Sequence, residues 1–327
     1  MNANGPFCYG PFMLLEIKLE YQNPLMLEYL SFHIFMPVRR DVVEANPTSW
    51  AAKPETLISN GAFKLESWKH GEGGEMILTK NPYYFEADKT KLQRLKFVMI
   101  NDQNTALAAF KAGRIDYLDT LPSQMLPMLI KSGQVKTLPA LGITYFSFNV
   151  TRPPFDNPKI RRAFALAVDR KAIAEKIVLG GEKPATGFVP YEVPGTTPEK
   201  DFRTEGGAFL PEGADVEEAR KLLAEAGYPE GKNFPEVMYR YNSNPSNKAI
   251  AEALQAMFKK NLGINVTLFN EEWKVFIENR RKGDFDLARE GWYLDFYDAS
   301  NMLENFITAS ANNDTGYSNP EVDNLIA

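Results

Sequence analysis

The chain has 327 residues, 44% of them apolar and 24% charged, with a net charge of −5 and a single cysteine. That length fits two domains with sizeable cores. The acidic balance argues against a nucleic-acid partner, one cysteine excludes an internal disulfide or a Cys-based zinc cluster, and no window reaches the ~18 consecutive apolar residues of a membrane span.

The opening "MNANGPFCYGPFMLLEIKLEY" has no basic segment followed by an apolar run, so it carries no signal-peptide pattern. Residues 1–6 read as a start scar, and the first fifty residues show no clear period. In "LISNGAFKLESWKHGEGGEMILTKNPYYF", Asn60-Gly61 turns the chain and Phe63, Leu65 and Trp68 sit at strand spacing. "HGEGGE" is a second turn, followed by a returning strand over 76–79. "LQRLKFVMI" places Leu95, Phe97 and Met99 on one strand face. "NDQNTALAAFKAGRIDYLD" reads as a helix, a stop at Gly113 and a short strand.

Residues 143–150 form a β-rich run, and we expect the domain boundary at 148–150, giving units 1–148 and 149–327. Beyond it, Asp156 or Asn157 caps a helix with Pro158 at its first position and Ile160, Phe164, Ala167 and Val168 on its apolar face. "VEEARKLLAEAGYPEG" is a second capped helix that ends at Gly227. "PEVMYRYN", "NKAIAEALQAMFKKNLGI", "NVTLFNEEW" and "KVFIENRRKGDFDLAREGW" then alternate strand and helix, which predicts a second α/β domain. The last helix, "NPEVDNLIA", stops after one or two turns without a C-cap, which suggests a fragment.

Few groups are available for chemistry. His33 and His70 are the only histidines, and neither stands beside a metal-ligand or nucleophile pattern. "GEGGE" lacks the lysine and the following helix of a phosphate loop, so it reads as a hairpin turn. "NRRKG" (279–283) is either a dipole-compatible helix end or a carboxylate site built on guanidinium forks. In "REGWYLDFYDASNMLENF" Asp295 and Asp298 stand three residues apart, close enough in chain to suggest a glycosidase pair. Nothing in a turn makes two such carboxylates face each other across a bond. Asp298 reads as the N-cap of the next helix. A calcium site of Asp295, Asp298 and Asn301 lacks the loop glycine and terminal glutamate. Asp295, flanked by Leu294 and Phe296, has no structural duty; we expect it to be partly desolvated and to need a cation.

Four stretches, in matching order, resemble the extracytoplasmic solute-binding proteins of ABC importers, family 5, the oligopeptide- and dipeptide-binding group. They are "SNGAFKLESWKHGEGGEMILTKNPYYF", "AFKAGRIDYLD", "FNVTRPPFDNPKIRRAFALAVDRKAI" and "KKNLGINVTLFNEEWKVFIENRRKGDFDLAREGWYLDFYDASNMLENF". The resemblance runs from about residue 55 to the end. It implies an α/β, periplasmic-binding-protein type II-like fold of two lobes joined by hinge strands. Here the first lobe would be incomplete and the sequence truncated at both ends.

The resemblance also assigns roles. It implies that Asp295 pairs with a peptide's α-ammonium, and that the backbone around Gly291 and Tyr293 bonds the peptide main chain as an added strand. Arg289 would meet a short peptide's carboxylate, with Arg280 and Arg281 on a segment that can do similar work. Trp273, Trp292 and Asn242 would line side-chain pockets, although a tryptophan in such a position is as readily core. Asn247 replaces a histidine found in some members, and Glu290 stands where a small residue is usual, which alters the charge beside Asp295. The implied protein is a monomeric, non-enzymatic, extracytoplasmic receptor for short peptides. It needs no cofactor or metal, binds no nucleic acid, and serves an ABC permease with its ATPase subunits. The alternatives are another solute on the same fold (a nickel complex, murein peptide or oligosaccharide), or a sensor domain of a transcriptional regulator.

Overall fold

A computed structural model describes residues 7–9, 12–14, 16–20, 22–118 and 120–326. The expected start scar at 1–6 lies outside these residues. The chain divides into two compact units, residues 1–101 and 102–327, upstream of the 148–150 position expected from sequence. The strand at that position explains the difference, because it pairs along its whole length inside the second unit's sheet.

The first unit contains a two-stranded ribbon, β1 (Phe7–Tyr9) and β2 (Phe12–Leu14), and two short helices, α1 (Met26–Ser31) and α2 (Arg40–Ala45). An antiparallel sheet follows, β3 (Phe63–Trp68), β4 (Glu75–Lys80) and β5 (Arg94–Val98), in that spatial order. "HGEGGE" is the β3–β4 hairpin connection, with Gly71 and Gly73 at positive φ. A bulge between Leu65 and Ser67 shifts the register. It explains the irregular 63, 65, 68 spacing, because the extra residue changes the strand's parity and lets Leu65 and Trp68 share a face. Phe97, expected to face inward, is 46% exposed. It pairs beside Met76 and Trp68 in one cross-strand row, at the end of the face that also carries the buried Leu65.

The second unit begins with α3 (Gln103–Lys111), whose N-cap Asp102 accepts from Thr105 N at 2.7 Å. Gly113 stops it at φ 68°, but the described residues of 114–120 form no strand, because no strand edge pairs with them. After α4 (Leu126–Lys131) comes a four-stranded sheet of β6 (Gly142–Phe148), β7 (Val237–Asn242), β8 (Val266–Glu271) and β9 (Leu287–Tyr293). Its spatial order is β6-β9-β7-β8, with β7, β8 and β9 parallel and β6 antiparallel to β9.

Between β6 and β7 lie α5 (Pro158–Leu166), α6 (Arg170–Ile173), α7 (Phe202–Gly206) and α8 (Val216–Glu225). Asn157 rather than Asp156 caps α5, accepting from Lys159 N at 2.9 Å. β7 leads through α9 (Pro245–Leu262) into β8, and β8 through α10 (Trp273–Arg281) into β9. The predicted strand-helix alternation therefore holds here. The chain closes with α11 (Ser300–Leu303) and α12 (Pro320–Ile326).

The two faces of this sheet differ in chemistry. One carries Tyr239, Tyr241, Val266 and Leu287 into an apolar cluster with Phe164, Leu223 and Phe258 from α5, α8 and α9. Fully burying each such side chain contributes about 1.5–3 kcal/mol, so this cluster anchors the sheet. The other face carries Arg240, Glu271, Glu290 and Ser147 beneath α10. Beside them a smaller cluster joins Ile143 and Trp292 to Val189, Val193 and Met302. No helix among the described residues is long and apolar enough to cross a membrane.

Candidate functional site

Because β7, β8 and β9 are parallel, their carboxyl ends lie at one edge of the sheet, where open α/β sheets place their ligands. Asn242 ends β7, Trp273 follows β8 by two residues, and Tyr293 ends β9 just before Asp295. Topology thus gathers at one edge residues spread over fifty positions of sequence.

The ladder of β9 decides which of its main-chain groups are free. Leu294 N donates to Leu141 O at 2.8 Å and Asn149 N to Asp286 O at 3.0 Å. In an antiparallel pair the bonded positions alternate. Ala288, Glu290 and Trp292 therefore turn their amides and carbonyls toward β6, and Arg289, Gly291 and Tyr293 turn theirs away. On that other side β7 pairs only as far as Arg240 opposite Ala288. The main-chain groups of Gly291 and Tyr293 lie beyond the last paired residue, as an unextended strand edge.

Side chains on this segment separate by the same alternation. Arg289, Gly291 and Tyr293 share the face of Leu287, while Glu290 and Trp292 share the other. A Cβ on Gly291 would stand 3.2 Å from an Arg289 Nη and 3.3 Å from Ile143 O, so the glycine leaves room for the guanidinium lying beside it. Arg289 is half-buried, its Nε is buried without a hydrogen-bond partner, and no carboxylate stands within ion-pair distance among the described residues. Burial, first, and the neighbouring Arg280 charge lower its pKa from the usual arginine value, against the opposing effect of Tyr239. Arginine remains protonated under such shifts, so this is a half-buried positive charge without an ion-pair partner among the described residues. Tyr293 is 68% exposed, and its ring lies over Gly142, where a Cβ would come within 2.4 Å of it.

Glu290 turns away from this edge. Its carboxylate accepts from Ser147 Oγ at 2.8 Å and pairs with Arg280 at 3.0 Å; Arg280 also holds Asp314 at 2.8 Å. Burial raises the Glu290 pKa, opposed by Arg280 and by the Ser147 bond. The extra acid that the sequence set beside Asp295 is thus matched by Arg280 on the opposite face. Arg280, expected as a carboxylate contact, already has two carboxylate partners. Arg281 turns outward with Trp273 into an open groove of about 380 Å³ on α10, lined also by Lys274, Ile277, Glu278 and Lys282. None of Arg289, Gly291 or Asp295 lines that groove. Trp273 is 49% exposed and so is not core.

Asp295 is exposed, not partly desolvated as expected, while its neighbour Leu294 packs against the smaller cluster. Its carboxylate has no hydrogen bond or ion pair among the described residues, while its N–H donates to Asn301 Oδ1 at 2.8 Å. The same oxygen accepts from Trp292 Nε1 at 3.1 Å, which makes Trp292 a half-buried structural residue of the smaller cluster. Asn301 is 1% exposed, and with two donors on its carbonyl oxygen it offers nothing to calcium. Asp298 Oδ1 accepts from Ser300 N at 2.8 Å in the turn that enters the short α11, but Ala299 stands at the N-cap position, so Asp298 is not the N-cap expected from sequence. No group of three or more His, Cys, Asp or Glu suited to a metal occurs among the described residues. Asn242 Oδ1 accepts from Asn247 Nδ2 at 2.9 Å, so these two side chains hold each other at the end of β7.

The pattern of the bacterial extracellular solute-binding proteins, family 5 Middle, matches residues 14–314. The chain belongs to this family. It is 36% identical over 321 residues to the oligopeptide-binding protein OppA of Bacillus subtilis, covering 95% of this chain and 57% of that protein. Its fold is similar to the murein tripeptide binding protein MppA of Escherichia coli, with a TM-score of 0.85, 32% identity, and coverage of 98% and 62%. It is also similar to Haemophilus influenzae OppA in complex with RPPGFSPFR, with a TM-score of 0.77, 31% identity, and coverage of 92% and 58%. The family 5 chain therefore spans about three-fifths of the length of these relatives. The α/β, periplasmic-binding-protein type II-like fold expected from the resemblance holds, incomplete relative to the full-length relatives.

Sequence reasoning missed three contributors to the edge. Asn301 was weighed as a metal ligand, whereas it is a backbone pin. Glu304, whose Oε1 accepts from Asn301 Nδ2 at 3.0 Å, was not singled out, though Asn and Glu three apart at a helix start share a face. Gly142 carried no signal, since its neighbour Tyr293 lies 151 positions away.

Proposed function

We propose that the protein is the substrate-binding component of a peptide ABC importer, a binder and not a catalyst, which captures short peptides by main chain and α-ammonium group. The observation that carries this reading is the free edge of β9. There the unextended main chain of Gly291 and Tyr293 lies between the Arg289 guanidinium and the Asp295 carboxylate, neither of which has an ion-pair partner among the described residues. A peptide added as a strand takes its affinity from main-chain bonds, which are indifferent to side chains. Its ammonium answers Asp295 and its carboxylate answers Arg289. Relatives that carry oligopeptide, dipeptide and murein-peptide binding in their names support a peptide ligand. The partners are a membrane permease and its ATPases, and the site of action is extracytoplasmic.

The mechanism is one of matched charges. The segment is positioned before the ligand arrives: the main chain of Asp295 through its N–H on Asn301, and the Arg289 guanidinium by burial beside Gly291. A charge-assisted hydrogen bond contributes about 1.5–3 kcal/mol, so blocking the ligand amine should cost ten- to a hundredfold in Kd. Calorimetry with alanine oligopeptides, free and N-acetylated, tests this on the full-length polypeptide that carries these residues. The acetylated peptide should bind that much more weakly, and Asp295→Ala should erase the difference. Equal affinity for both peptides in the unaltered protein would sink the ammonium reading.

A further inference from the structure

Asp295 is not the only carboxylate at the ammonium end of the edge. Glu304 begins the 3-10 turn after α11, and it reaches Asp295 through one shared residue. Asn301 gives its amide oxygen to Asp295 N and Trp292 Nε1, and its amide nitrogen to Glu304 Oε1. An asparagine amide has distinct donor and acceptor ends. The Glu304 carboxylate, an acceptor only, therefore fixes which way Asn301 points, and so which atom meets Asp295. Glu304 is half-buried, and no cation stands within ion-pair distance of either acid among the described residues.

We propose that Glu304 is a specificity-determining residue of this subsite: held by Asn301 beside Asp295, it supplies the second negative charge that a cationic amine neutralises on binding. This rests on the ammonium reading above and adds to it a regulation by protons. Three influences act on the Glu304 acid, burial first, then the Asn301 bond, then the Asp295 charge. Burial and Asp295 raise its pKa from the ordinary 4.5, and the Asn301 bond lowers it; the outcome is a raised value. Asp295 is the titratable group that acts on it. An amine between the two acids favours the ionised form, so binding expels a proton wherever Glu304 is partly protonated. Affinity for amines therefore falls as pH descends through Glu304's own titration, above the ordinary value of 4.5. Because the peptide amine stays protonated throughout that window, the fall belongs to the protein.

Glu304→Gln keeps an oxygen for Asn301 Nδ2 and removes a half-buried charge whose ionised form the fold disfavours, so the thermal midpoint at neutral pH should not fall. Titrations of an alanine tripeptide to pentapeptide series, free and N-acetylated, in two buffers of different ionisation enthalpy, read affinity and proton release together. The expected result is a loss of about five- to tenfold for the free peptide at neutral pH. The acetylated peptide should be unaffected, and the proton release that accompanies binding at acidic pH should disappear. If the unaltered protein prefers the free amine and Glu304→Gln retains both the preference and the proton release, Glu304 is overturned while the ammonium site stands. An equal loss for both peptides would reduce Glu304 to a prop for Asn301 and overturn it as well. No preference in the unaltered protein would remove the ammonium site, and Glu304's role with it.

Discussion

Single residues on β9 divide by the strand's two-residue period. Asp295 was legible in the sequence because nothing nearby gave it a structural duty, whereas Asp298, read as a cap, sits one residue too early and instead closes the turn before α11 through Ser300 N. Glu290 was not legible. Its partner Arg280 is ten positions away, and only the alternation of the folded strand shows which face it takes. Arg289 makes the sharpest residue-scale prediction. Arg289→Ala should weaken short peptides with a free carboxylate ten- to a hundredfold, corresponding to about 1.5–3 kcal/mol, and leave their C-terminal amides unchanged. Isothermal titration of both ligands checks it, and equal loss for the two would contradict a carboxylate contact. Glu290→Ala should act on stability, because it leaves Arg280 buried with one partner fewer. Breaking such a pair costs about 3–5 kcal/mol, readable as a lowered denaturant midpoint.

At the scale of elements, the run β7-α9-β8-α10-β9 was legible because strand alternation, capping and glycine stops agreed along it. Gly227 and Gly263 stand at positive φ where helices end. Two readings failed for lack of a partner. The described residues of 114–120 have strand-like composition but pair with no strand edge, and Phe97 follows an inward period yet stays exposed at the end of the face that carries the buried Leu65. The crossing of β6 with β9 was also hidden, since a sequence does not say which distant strand a β-rich run joins. That pairing carries a test. Gly142→Ala places a Cβ within 2.4 Å of the Tyr293 ring and 2.9 Å of Trp292 O. The overpacking should cost about 1–3 kcal/mol and displace Tyr293 from the free edge. Chemical denaturation and Tyr293 fluorescence in a Tyr-depleted background measure the two effects, and an unshifted midpoint would refute the contact.

For the whole molecule, burial is unevenly distributed between the two units. Among the described residues, Leu65 is the sole fully buried apolar side chain of residues 1–101, and the large clusters lie in residues 102–327. Local stability follows buried contacts. Amides of β3–β5 should therefore exchange with deuterium well before those of β6–β9 in this chain, and equal protection would contradict the difference. Length indicated a two-part chain, strand–helix alternation an α/β one, and charge with the cysteine and histidine counts excluded several chemistries. The resemblance had already assigned the candidate residues, and topology added that the ends of β7, β8 and β9 bring Asn242, Trp273 and Tyr293 to one edge of the sheet. The most direct measurement is a crystal structure of the full-length polypeptide with a bound alanine oligopeptide. We expect the ligand's main chain along β9, bonded to Gly291 and Tyr293, with its ammonium on Asp295 beside Glu304 and Asn301. A peptide seated elsewhere, or one whose amino end points away from Asp295, would contradict the account.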